Sequence, residues 1–328
     1  MDVKNLFTKQ KMMRTVLLAL IPIAILAVFL YGWRWVIMGL VVALAAVISE
    51  YLVMRSINKD KAKVSEAVFV SAALFTLTLP PATPMWVAVV GIVFGVVFGK
   101  GVFGGFGRNI FNPALVSRCF IYVAFPAHMT MTWPQPFLAL PGGFAAYTTA
   151  VDAITSATPI ITYNATGELA NHLHLFLGNV AGSLGESSAL LILLGGAFLV
   201  YKKVASWQLM VSTIVSGTAL AAIFHYTGVM QVSGMTSTPP LFMLLTGGFL
   251  FGAIFMVTDP ISAPKTKQAQ WIAGTLVGLI TVVIRTFSLF TEGMMFAILI
   301  VNAFTPLLEL QLKQRQDRKK LKEKGAAA

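Results

Sequence analysis

The run Thr15-Val16-Leu17-Leu18-Ala19-Leu20-Ile21-Pro22-Ile23-Ala24-Ile25-Leu26-Ala27-Val28-Phe29-Leu30-Tyr31 contains no charged residue. After Gly32-Trp33-Arg34 a second apolar run extends from Trp35 to Met54, with Glu50 its one charge. A helix rising about 1.5 Å per residue needs about 20 apolar residues to cross roughly 30 Å of hydrocarbon. Two such runs in succession read as two transmembrane helices. The basic residues Lys4, Lys9, Lys11 and Arg14 before the first run give it the charge order of a signal peptide. The run is long for one and no A-x-A site closes it, so it reads as an uncleaved first span.

The rest of the chain repeats the pattern. Hydrophobic residues make up 57% of the 328 and charged residues 11%, whereas a soluble domain carries roughly a quarter charged. Apolar runs fall at 15–32, 35–54, 65–80, 84–99, 111–128, 187–201, 205–226, 240–258, 268–287 and 293–311. The expected fold is an all-α polytopic membrane protein of about ten spans. Its organisation reads as a cytoplasmic N-terminal arm (1–14), a first membrane half of five spans (15–128), an extracytoplasmic loop (129–186), a second half of five spans (187–311) and a basic cytoplasmic tail (312–328).

Sidedness follows from the basic residues, which concentrate in cytoplasmic loops. With the N-terminus inside, the inner loops collect Arg55, Lys59, Lys61, Lys63, Lys100, Arg108, Lys202, Lys203, Lys265 and Lys267, and the tail adds Lys313 to Lys324. Outside there remain Arg34 and, near a helix end, Arg285; no Lys or Arg occurs from Cys119 to Tyr201. The net charge of +12 is therefore a matter of topology. No basic stripe interleaved with aromatics points to nucleic acid. One cysteine, Cys119, excludes an intrachain disulfide, and the four histidines form no metal pair; His172 and His174 lie on opposite helix faces.

Two interrupted segments stand in corresponding places. Gly99 to Asn109 leads into Phe111-Asn112-Pro113-Ala114, and Leu250-Phe251-Gly252 leads to Thr258-Asp259-Pro260-Ile261-Ser262-Ala263. Each sets a polar residue before proline at the end of a span. Paired breaks in two pseudo-symmetric, inverted halves point to a site at the repeat interface, and freed backbone groups there need protein or a ligand to satisfy them. Gly99-Lys100-Gly101-Val102-Phe103-Gly104 matches G-x-G-x-x-G, but no βαβ unit surrounds it and a Rossmann reading fails. Among intramembrane acids, which mark ion or substrate paths, Glu66 and Glu186 each open a span beside small residues and are candidates for an ion path. No residue set reads as catalytic or as a metal site.

The loop carries Asp152-Ala153-Ile154-Thr155-Ser156-Ala157-Thr158-Pro159, a small-residue, hydroxyl-rich turn. With this stretch, Phe103-Gly104-Gly105, Asn109 to Ala114, Gly182-Ser183-Leu184-Gly185-Glu186, Thr258 to Ala263, Glu292-Gly293-Met294-Met295 and Asn302 to Leu307, the chain resembles the NqrB/RnfD family. These are membrane subunits of the sodium-translocating NADH:quinone reductase and of the Rnf ferredoxin:NAD oxidoreductase. The resemblance implies covalent FMN on Thr158 through a phosphoester, within a motif formed by Asp152, Thr155, Ser156 and Ala157. Ser156 stands where the family commonly has Gly. It also implies a non-covalent riboflavin in the membrane part, with Asn109, Asn112 and Asp259 as its neighbourhood.

The function expected from this resemblance is electron transfer within an ion-translocating oxidoreductase complex of the bacterial inner membrane, coupled to Na⁺ or H⁺. Partners would be other membrane subunits, a second flavin-bearing subunit on the outer face, iron–sulfur subunits inside, and a flavin transferase that attaches FMN. The short arm before the first span favours the RnfD type; the Glu292-Gly293-Met294-Met295 patch leans to the NqrB type of the quinone reductase. The paired breaks alone equally fit a cofactor-free channel or secondary transporter.

Overall fold

A computed structural model describes residues 7–59, 62–130, 133–147, 157–288, 290 and 292–326. The chain is an all-α polytopic membrane protein. Its long apolar helices are α1 (Lys11–Tyr31), α2 (Arg34–Asn58), α10 (Trp207–Tyr226), α13 (Lys267–Phe287) and α14 (Gly293–Ala326). Among the described residues these five are long and apolar enough to cross a bilayer. Shorter apolar helices fill the remaining positions: α3 (Ala67–Leu77), α4 (Met85–Val96), α5 (Pro113–Ala124) and α9 (Ala189–Tyr201). The run at 240–258 is divided into α11 (Pro240–Leu245), α12 (Phe249–Phe251) and a π-turn, Gly252–Met256. Short segments lie outside the bundle: α6 (Pro126–Thr130), α7 (Pro159–Thr166) and α8 (His172–Leu177). The only strands among the described residues, β1 (Phe7–Thr8) and β2 (Val64–Ser65), pair in parallel and fasten the N-terminal arm to the α2–α3 connection. Helix α14 passes without a break through the position where the tail was expected to begin.

Each of the ten apolar runs thus becomes a helical segment, five before the long loop and five after it. An odd number per half makes the second half start from the opposite end of the bundle. One end carries Lys59, Lys63, Lys100, Lys202 and Lys265 and is called here the lysine-rich end. The other carries 133–147 and 157–186 and is called the loop end.

Close approach of backbones sets the packing. Gly91, Gly95 and Gly99 recur every four residues along α4 and its continuation, facing α5. A Cβ on Gly95 would lie 1.9 Å from Ser117 Oγ and 2.5 Å from the Pro113 carbonyl. Gly274 and Gly278 of α13 meet Ser212 and Ser216 of α10 in the same manner. Small residues at this spacing are how membrane helices gain van der Waals contact where no hydrophobic force acts between them.

The two arginines outside the charge pattern both serve as clamps at the loop end. Arg34 donates to the carbonyls of Pro81 and Thr83, at 2.6 and 2.8 Å, and Arg285 to those of Met243, Thr246 and Gly247. Each satisfies carbonyls at a break between short helices.

Candidate functional sites at the two ends of the bundle

The helix leading into each break ends in a π-turn, Val97–Gly101 in the first half and Gly252–Met256 in the second. The widened turn redirects the chain, and here it brings the two halves' breaks to one narrow cleft at the lysine-rich end. Asn109, Asn112 and Asp259, 150 residues apart at the extremes, line it together with Lys100, Phe106 and Ile261. Asn112 caps α5, its Oδ1 accepting from Ala114 N–H at 3.0 Å, while its Nδ2 has no hydrogen-bond partner among the described residues. Asn109 Nδ2 donates to the Phe111 carbonyl at 3.0 Å. Asp259 Oδ2 accepts from the amide and hydroxyl of Ser262, at 3.1 and 2.7 Å.

Lys100 corrects the sequence reading, which placed it among loop cations. The π-turn carries it inward, leaving it 2% exposed. Its Nζ donates to Glu50 Oε2 of α2 at 2.8 Å and to Ser65 Oγ at 2.5 Å, and Ser65 in turn donates to Glu50 Oε1 at 2.8 Å. A buried ion pair is tolerated only when its remaining donors and acceptors are satisfied, and β2 supplies Ser65 for that purpose. Glu50 lies 50 residues away in sequence, and no local signal in the chain marks the pair.

The cleft, ≈20 Å³ in volume, holds about one water, too little for a ring system as it stands. Phe106 forms one wall from a loop whose Gly104, Gly105 and Gly107 all have positive φ, backbone that other residues adopt at a cost. The donor set suits the carbonyl edge of a flavin: an unpartnered amide N–H₂ and an ammonium, with Asp259 as an acceptor alongside.

At the loop end, Thr158 stands just before α7, with Pro159 as the first helical residue. Its side chain caps no helix amide. It is 8% exposed and lines a cavity with Gly182, Ser183, Glu186, Ser187 and Glu292. The Gly182 to Glu186 segment runs along the end of α3, with Leu184 and Gly185 donating to the carbonyls of Leu79 and Leu77 at 3.2 and 2.6 Å. Ser183 Oγ, fully enclosed, has no hydrogen-bond partner among the described residues. Beneath the cavity Arg118 of α5 bonds both Glu186 Oε1, at 3.2 Å, and Glu292 Oε2. On the other side Ala157 and Pro159, flanking Thr158, line an open cleft of ≈430 Å³ with Gln135, Asn179 and Thr162. Cavities of a few hundred Å³ accommodate drug-sized ligands, so this cleft has the volume to take one.

Asp152, Thr155 and Ser156 lie outside the described residues. Glu66 and Glu186 are not brought together. Glu66 is at the lysine-rich end, where its carboxylate accepts from Arg14 and from the Gln10 amide. Glu186 is beside the far end of α3, an eleven-residue helix of roughly 16 Å.

The model of the NQR2, RnfD, RnfE family matches residues 3–317. Among curated proteins the chain is 40% identical over 270 residues to the NqrB subunit of the Na(+)-translocating NADH-quinone reductase of Pseudomonas aeruginosa strain LESB58, covering 80% of this chain and 64% of that protein. It is 37% identical over 307 residues to the same subunit of Pseudoalteromonas atlantica, covering 92% and 72%. With that of Klebsiella pneumoniae strain 342 it shares 38% over 276 residues, covering 79% and 63%. The chain therefore spans a little under two thirds of the Pseudomonas and Klebsiella relatives.

Proposed function

The chain belongs to the NQR2, RnfD, RnfE family, and from that premise we propose that it is a flavin-carrying, electron-transferring membrane subunit of an ion-translocating oxidoreductase complex. The Pseudomonas, Pseudoalteromonas and Klebsiella relatives favour the sodium-translocating NADH–quinone reductase type over the Rnf type that the short arm suggested. In this reading FMN is joined by its phosphate to Thr158, and a riboflavin sits non-covalently in the cleft of Asn109, Asn112 and Asp259. The loop end faces away from the cytoplasm of a bacterial inner membrane. Partners are the other membrane and peripheral subunits of the complex, together with a flavin transferase.

The observation that carries the reading is the setting of Thr158. Its hydroxyl has no capping duty, and the 430 Å³ cleft begins at the residues on either side of it. A phosphate on that oxygen would stand at the start of α7, where unpaired amides and the helix dipole favour an anion. A bound flavin supplies one-electron chemistry, and the protein supplies position and electrostatics. The residues' own contribution is to fix the two sites at opposite ends of one rigid bundle. Asn112 and Lys100 present donors at one end, and Thr158 tethers at the other.

The test is a denaturing gel of protein produced in cells that make the transferase, viewed under ultraviolet light. The expected band is fluorescent, dark for Thr158→Ala and bright for Thr155→Ala. A dark wild-type band would overturn the reading and favour a cofactor-free transporter.

A further inference from the structure

Helices α1 and α2 follow one another in the chain, yet each packs on α3 more closely than on the other. Their separation leaves a groove of ≈230 Å³, lined by Ile21 and Ala24 of α1, Gly39 and Ala43 of α2, and Ala73 and Thr76 of α3. Ile21 and the neighbouring Leu40 are exposed, so the groove opens on the flank of the bundle that faces lipid. It shares no lining residue with the clefts beside Thr158 or Asn112. Among its apolar walls stand two polar groups without a partner among the described residues, the Trp35 indole N–H and the Thr76 hydroxyl. The two residues are 9% and 1% exposed. Hydroxyls in helices ordinarily bond back to their own backbone, as Ser71 in α3 and Thr78 at its end do, to the carbonyls of Ala67 and Phe75. Thr76 does not. Its Oγ1 lies 4.0 Å from where a Cβ on Gly39 would stand, turned toward the space that this glycine leaves in the groove. Unbonded polar groups in apolar surroundings are costly, and an acceptor seated in the groove is the partner these two lack.

We propose that the groove holds one acyl chain of a membrane phospholipid, with the ester carbonyl at the Trp35–Thr76 end and the methylenes running inward past Ala73 and Ala43. Size selects a chain over a helix. From Trp35 to Ala43 the groove follows α2 for roughly 12 Å, and a helix about 10 Å across would occupy roughly 900 Å³ over that length. The ≈230 Å³ present suits a single hydrocarbon chain. Depth selects an ester. Trp35 is the second residue of α2 and Thr76 the last but one of α3, so both stand at the loop end of their helices. That is the level of the boundary between headgroups and hydrocarbon, where indole rings concentrate and where the carbonyls of ester lipids lie. No charged side chain lines the groove, which suits a neutral acceptor.

The test counts lipid. The assembled complex is prepared with a chain-deuterated phosphatidylethanolamine, purified in detergent and extracted, and the deuterated lipid is quantified by mass spectrometry. Gly39→Leu fills the groove, and the nearest atom to its Cβ position is 3.6 Å away, so the backbone has room for it. This variant is expected to retain one phospholipid per chain fewer than the wild type. Thr76→Val keeps the shape of the wall and removes the hydroxyl. It is expected to lose that lipid roughly fivefold faster on dilution into detergent, the worth of one hydrogen bond. Equal lipid counts in wild type and Gly39→Leu overturn the proposal. So does an isoprenoid quinone extracted in place of the phospholipid, or a helix of another subunit cross-linked through Leu40→Cys. Should Gly39→Leu fail to assemble, Thr76→Val decides: faster loss supports the proposal, and an unchanged rate overturns it.

Discussion

Replacing Arg118 by Met tests what the ion cluster at the loop end contributes. Arg118 is 3% exposed in its side chain, and its two partners, Glu186 and Glu292, are 11% and 12% exposed. Its removal leaves two enclosed carboxylates without the cation bonded to them, with Arg285 acting on them only at longer range. Breaking a buried pair by deleting one member costs about 3–5 kcal/mol, because an uncompensated charge remains. With a melting shift of about 2 °C per kcal/mol for a chain of this size, Arg118→Met should melt roughly 6–10 °C lower when purified in detergent. The cause predicted is the stranded charge and not the lost attraction. Adding Glu186→Gln and Glu292→Gln to Arg118→Met should therefore recover at least half of the loss, although the triple variant has fewer interactions than the single one. A triple variant as unstable as Arg118→Met, or a single variant that melts like the wild type, would refute the reasoning.

The covalent flavin band should vanish with Thr158→Ala and persist with Thr155→Ala, read by fluorescence on a denaturing gel. Gly95→Ala should destabilise the bundle by about 1–3 kcal/mol, measured as a lower melting temperature. Ser117→Ala should not rescue it, because the Pro113 carbonyl remains 2.5 Å from the added methyl. Arg14→Ala should leave the melting temperature unchanged, since Arg14 is 56% exposed in its side chain and such pairs contribute little.

The candidate sites were legible in part. Asn112-Pro113 and Asp259-Pro260 announce themselves because proline forbids a continuing helix and a polar residue before it caps or turns the chain. That the two breaks meet in one cleft was an inference from their matching places in the two halves, and the structure brings them together. Glu186 was singled out beside Ser187 and Ser188, and it does line the cavity of Thr158. Glu66 was singled out on the same grounds and lies at the opposite end, because opening a span says nothing about which end of the bundle that opening faces. The glycines of α4, four residues apart, are a readable signal of helix packing in the sequence itself. Lys100 was misread as a loop charge: a lysine at the end of an apolar run normally reaches water, and only a partner fifty residues away holds it inside.

The sequence alone determined that this chain lives in a membrane, how many segments it has and where they break, since those follow from local hydrophobicity and from residues that cannot continue a helix. Only the tertiary structure decided which charges are hidden. Lys100 with Glu50, and Arg118 with Glu186 and Glu292, are pairs between segments far apart in the sequence. An ionised group enters a bilayer-spanning core when its partner is already there to meet it, and that is a property of the packed bundle, invisible along the chain.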